Sequence, residues 1–130
     1  MSYIIPTPTG RQIILNAKRV NGIMPKINMN GYWFDGPFKL DIQEQDLPAA
    51  AGVCLVCTES GYGIKVMSIE DASGIRGHIA KSKRRECWKR IAEKDVIDIY
   101  VTLIEKKEDR AKAVKALKDG RRYKMACEEY

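Results

Sequence analysis

Apolar positions fall into two regimes along this chain, with the change near residue 46. The first 46 residues are rich in Gly, Pro and Asn, and their apolar positions come in short extended bursts rather than at helical spacing. Ile13-Ile14-Leu15 with Val20 predicts one strand. Ile27-Asn28-Met29, then Asn30-Gly31, then Tyr32-Trp33-Phe34 predicts a hairpin, because Asn-Gly accepts the positive φ angles of a tight two-residue turn. Asp35-Gly36-Pro37 is turn chemistry, and Phe38 to Ile42 alternates like a further strand. Residues 1–46 are therefore expected to form a β-rich extension of modest stability, packed on the remainder of the chain.

From residue 47 the pattern is stronger. Val53-Cys54-Leu55-Val56-Cys57 is a buried strand after a Pro48 stop. Glu59-Ser60-Gly61-Tyr62-Gly63 is a turn, in which Tyr62 is read as capping a core edge, and Ile64 to Ile69 is the returning strand. A helix is expected to begin near Ser73, with Ser73 or Asp71 as N-cap, and to break over Lys81 to Arg85 before resuming through Trp88, Ile91 and Ala92. The β-branched run Val96 to Ile104 predicts the most buried strand. Glu105 to Lys118 predicts a closing helix with acids first, lysines last, a narrow stripe at Val114 and Leu117, and Gly120 as terminator. The tail is expected to pack through Tyr123 and Met125. The fold class expected for residues 47–130 is α+β, a small three-stranded sheet (Val53–Cys57, Ile64–Ile69, Val96–Ile104) flanked by helices.

Charge adds the sharpest functional lead. The chain has 130 residues and a formal net charge of +6. Arg76, Lys81, Lys83, Arg84, Arg85, Lys89 and Arg90 stand against one acid, Glu86, so this one segment holds an excess equal to that of the whole chain. A localised basic stripe is the footprint of a phosphate-binding surface, and these seven residues are the candidate nucleic-acid contacts; a solvated helix face is the plain alternative. The start MSYIIPTPTG has neither a basic n-region nor a long apolar stretch, and no run reaches a membrane span, so a cytoplasmic protein without membrane partners is expected.

Cys54 and Cys57 form a C-x-x-C, but in a strand residues three apart point to opposite faces, and His78 is the only histidine. All four cysteines, at 54, 57, 87 and 127, are therefore read as reduced and structural, with no metal and no cofactor.

The order strand, strand, basic helix, strand, helix resembles that of the GIY-YIG endonucleases. Leu47-Pro48-Ala49-Ala50-Ala51-Gly52-Val53-Cys54-Leu55 is similar to the family's lead-in and first strand. Val66-Met67-Ser68-Ile69-Glu70 is similar to its second strand, Ser73 to Ile79 to its helix start, and Arg122-Tyr123-Lys124-Met125-Ala126-Cys127 to the ending of some members. The resemblance implies that Cys54, Ser68 and His78 occupy the positions of the two signature tyrosines and the catalytic arginine, and that Glu70 replaces the signature glycine. It also puts the metal carboxylate within Ala111 to Lys118, where this chain has no acid. Without that charge the cleavage chemistry loses one of its largest stabilising contributions. The expectation is a non-catalytic nucleic-acid-binding module, with double-stranded DNA the default partner because the resembled family acts on it. Two readings stay beside it: a scaffold that docks an acidic protein, and a nuclease with a rearranged site at Glu70, Asp71 and His78. Trp33 or Trp88 is available for stacking in the first reading.

Overall fold

The computed structural model describes residues 3–6, 26–60, 63–92, 96–119 and 127. Six strands, β1 (Tyr3–Pro6), β2 (Lys26–Met29), β3 (Tyr32–Lys39), β4 (Gly52–Ser60), β5 (Gly63–Ala72) and β6 (Ile97–Leu103), form one sheet in the order β1-β5-β4-β6-β3-β2. Every neighbouring pair is antiparallel. Three helices complete the fold: α1 (Ile75–Ala80), α2 (Arg85–Ala92) and α3 (Lys107–Asp119). The expected three-stranded sheet is thus only the centre of a larger one. Its strands β5, β4 and β6 are there, but β6 still has a free edge after pairing with β4. The hairpin from residues before 47 fills that edge, through β3 on β6. An unpaired β-branched edge is costly and prone to association, so filling it is favourable.

The hairpin forms as its sequence dictates. Met29 pairs with Tyr32 across Asn30 and Gly31, whose φ angles are 52° and 90°. Asp35-Gly36-Pro37, however, does not end the strand. β3 runs through it as a bulge, with Asp35 opposite Val101 and Phe38 opposite Ile99. The bulge switches the phase, so that Phe34 joins one core of the sheet and Phe38 the core on the opposite face. Gly36 is required there: its φ is +151°, and a Cβ would lie 2.8 Å from the Ile99 carbonyl oxygen and 2.9 Å from the Tyr100 ring.

Two cores lie on opposite faces of the sheet. On one, Cys54, Val56, Met67, Ile99 and Val101 pack against Ile75 and Ile79 of α1 and Cys87 and Trp88 of α2. On the other, Val53, Leu55, Cys57, Val66 and Tyr100 pack against Ala113 and Leu117 of α3. Cys54 and Cys57 therefore do point to opposite sides. Burial, and the nearby Glu70 and Asp98 carboxylates respectively, push both thiols up, so they stay protonated and inert. The other two cysteines depart from the reduced state expected of them. Cys87 and Cys127, 40 residues apart, are joined in a disulfide. The Cys127 backbone N–H donates to the Met67 carbonyl at 3.0 Å, so the bridge links α2 to a residue bonded to β5. The readings on Ile13 to Val20, Tyr62, Gly120, Tyr123 and Met125 lie outside the described residues.

Neither Ser73 nor Asp71 caps α1. Its N-cap is Gly74, without a side-chain bond. The Ile75 and Arg76 N–H groups instead donate to the carbonyls of Ala50 and Pro48, each at 3.0 Å. Asp71 points to the other face, where it accepts from Arg110 Nε of α3 at 2.7 Å. Arg110 also donates to the carbonyls of Ile104 and Glu105, tying the β6–α3 connection to the first turn of the helix.

Gly36→Ala tests the closure of the sheet on its N-terminal hairpin. The added methyl meets backbone, at a φ that side chains rarely adopt, so a loss of about 1–3 kcal/mol is expected. A lower urea midpoint with an unchanged slope would agree with this; an unaltered midpoint would contradict it.

Candidate functional site

The site is built around a carboxylate that the fold buries. Cys57 pairs with Val66 but Val56 with Ser68, so a bulge puts Met67 and Ser68 on the same face. Two residues on, Glu70 lies opposite Cys54, on the α1 side of the sheet, and its side chain is 1% exposed. A lone ionised carboxylate there would be strongly disfavoured. Three side chains compensate. The Nε2 of His78 lies 2.8 Å from Oε1, and Arg84 Nη1 donates to both carboxylate oxygens at 2.9 and 3.1 Å. Ser68 donates its hydroxyl, and the Oγ of the same serine accepts from the indole N–H of the fully buried Trp88 at 3.0 Å. Burial acts to raise the Glu70 pKa; the bond from His78 and the charge of Arg84 outweigh it, and the carboxyl sits below its ordinary value of 4.5.

Above this network opens a pocket of about 580 Å³ lined by Glu70, Ser73, Gly74, Gly77, His78, Lys81, Ser82, Lys83 and Arg84. One wall is α1, and another is the four-residue connection to α2. That connection has little apolar matter to hold it. Its shape depends on Arg84 reaching down to Glu70 and on the Arg84 N–H donating to Ser82 Oγ at 3.1 Å.

The basic stripe divides in three dimensions. Arg84 serves Glu70. Arg85 is taken by Asp41 (2.9 Å), Glu44 (3.1 Å) and the Ile79 carbonyl, and Lys89 by Asp41 at 3.3 Å. These acids follow β3, more than 40 residues upstream of the cations they neutralise. Arg76 donates through Nε to the Leu47 carbonyl at 2.8 Å, and Arg90 lies exposed on α2. Lys81 and Lys83 are exposed at the pocket rim, with no ion-pair partner among the described residues. Of the seven candidate contacts, the pocket therefore brings together Lys81, Lys83 and Arg84, and adds His78.

Of the positions matched to the resembled family's catalytic groups, Ser68 and His78 meet at Glu70 and Cys54 lies opposite it, but the closing helix does not join them. Cys54 and Ser68 are sealed in the core, His78 is committed to Glu70, and α3 packs on the opposite face of the sheet. The proposed alternative trio also splits, since Asp71 turns away to Arg110. Among the described residues no group of three His, Cys, Asp or Glu side chains is placed to hold a metal ion. No helix among them is long and apolar enough to cross a membrane. Trp88 is 0% exposed and excluded from stacking, whereas Trp33 is 59% exposed on β3. Glu70 as the organiser of the site was missed as such. The signal for it was an acid within a strand of mainly apolar residues. No protein-family model, curated protein or solved structure matches this chain.

The depressed Glu70 pKa sets an acid limit on stability. Its stabilising contribution is present above the ordinary carboxylate range and is lost as pH falls through the lowered folded-state value. Glu70→Gln should therefore cost stability at pH 7, where it removes a paired charge. The difference from the parent should shrink in strong acid, where both side chains are neutral. Thermal melts of the two proteins from pH 7 downward measure this; a constant gap at every pH would refute it.

Proposed function

We propose that this chain is a non-catalytic nucleic-acid-binding module that holds phosphate in the pocket between α1 and α2. The observation that supports this best is the pair Lys81 and Lys83, both exposed at a pocket whose floor pairs Arg84 with Glu70. With Arg84 so paired, Lys81 and Lys83 add two ammonium charges at the rim with no ion-pair partner among the described residues. Lysine ammonium groups of this kind act as hydrated point charges that attract phosphate without reading bases. Recognition should then be weakly sequence-specific and sensitive to salt, since each phosphate neutralised releases condensed counterions.

The cations at positions 85 and 89 have a different task in this reading. They fasten α2 to the Asp41–Glu44 turn, and neutralising them should loosen the fold more than the complex.

Lys81→Ala and Lys83→Ala should each weaken binding to all oligonucleotide sequences alike and reduce the log–log salt slope by about one unit. Lys89→Ala should leave that slope unchanged. Anisotropy titrations of DNA and RNA, single- and double-stranded, at two salt concentrations read these effects. Absence of binding to any of them at low salt would overturn the proposal, and retention of an acidic polypeptide by the same lysines would then identify the stripe as a protein-docking surface.

A further inference from the structure

The shape of the pocket narrows which phosphate it suits, and this step rests on the nucleic-acid reading above. We infer that the pocket receives a terminal phosphate monoester of a nucleic acid, in preference to a phosphodiester within the chain.

Charge is the first argument. A terminal phosphate approaches two negative charges at neutral pH, its second pKa being about 6, whereas an internal diester carries one. Lys81 and Lys83 are two ammonium groups with no ion-pair partner among the described residues, so a monoester can meet both while a diester leaves one over.

Geometry is the second. At about 580 Å³ the cavity lies within the usual range for sites that enclose small ligands, about 300–1,000 Å³. It is an open concavity walled by α1 and the 81–84 connection.

Donor chemistry is the third. A monoester has three terminal oxygens to satisfy. Lys81 and Lys83 carry three N–H donors each. Ser82 Oγ already accepts from the Arg84 N–H, so its own O–H is the group left to donate. Ser73 adds a second hydroxyl to the lining. The Arg84 guanidinium, already bridging both Glu70 oxygens, supplies fixed positive charge at the floor. Gly77 keeps the α1 wall open: a Cβ built there meets nothing within 4 Å, so no packing requirement explains its lack of a side chain. Within a helix a glycine is less favourable than an alanine.

The experiment compares fluorescein-labelled 12-mers of one sequence carrying a 5′-phosphate, a 3′-phosphate or hydroxyls at both ends. At least one phosphorylated end should bind about tenfold more tightly than the hydroxyl-ended strand. Inorganic phosphate should compete that difference away. Gly77→Leu fills the cavity while leaving every charge in place, and should abolish the end preference but keep the salt-dependent background binding. Equal affinity for all three strands, with Lys81 and Lys83 still required, would overturn this inference and leave the nucleic-acid module intact. A preference that survives in Gly77→Leu would also overturn it. No binding of any strand would remove both.

Discussion

The burial of Glu70 is the constraint on which the rest of the site depends. A carboxylate 1% exposed inside a sheet cannot stay ionised without partners, and the partners it recruits come from three separate elements. Ser68 comes from the same strand, His78 from α1 and Arg84 from the connection beyond it. Because Ser68 also accepts from Trp88, the network joins β5 to α2 as well. The short polar segment 81–84 is otherwise held by backbone bonds such as Lys81 N–H to the Gly77 carbonyl and Ser82 N–H to the Ile79 carbonyl. Removing one member would leave the others buried and unsatisfied, which costs more than the net worth of any one bond. The rim lysines are therefore positioned by a charge they never touch.

That network needs a particular strand phase, and a bulge supplies it. With regular pairing, alternation along β5 would send Ser68 and Glu70 to the same face as Val66, and hence toward α3. One extra residue between Val66 and Ser68 reverses this. The same device recurs in β3, where the Gly36–Pro37 bulge brings Phe38 into phase with Ile99. Two bulges thus decide which side chains meet the α1–α2 layer and which meet α3.

Much of the local structure was legible because it depends on near neighbours. The Asn30-Gly31 hairpin, the strands at Val53, Ile64 and Ile97, and the break between α1 and α2 all rest on periodicity or turn chemistry within a few residues. The opposite facing of Cys54 and Cys57 followed from strand alternation alone. What escaped depends on distant pairing. Nothing near Tyr32 announces that β3 closes on β6, and Gly36-Pro37 reads as a turn until a partner strand makes it a bulge. The Cys87–Cys127 bridge has no spacing signature, and the capping of α1 by the Pro48 and Ala50 carbonyls uses backbone, which any residue supplies. Trp33 is exposed between a half-buried Tyr32 and a buried Phe34, an alternation that followed once the hairpin's phase was known.

The basic stripe makes the same point about charge. Read linearly, seven cations against one acid form a single electrostatic feature. Folding assigns them acids from elsewhere: Asp41 and Glu44 reach Arg85 and Lys89, and Glu70 takes Arg84. Pairs with a partly buried member are screened less by salt than exposed ones, so these cations contribute mainly to holding α1 and α2 on the sheet. The net charge of the chain does not change, but its location does. Lys81 and Lys83, where the ion pairs leave off, carry the potential that a partner in the pocket would meet. A count of basic residues thus overstates the positive surface left without acids, and the positions of a few distant acids define it.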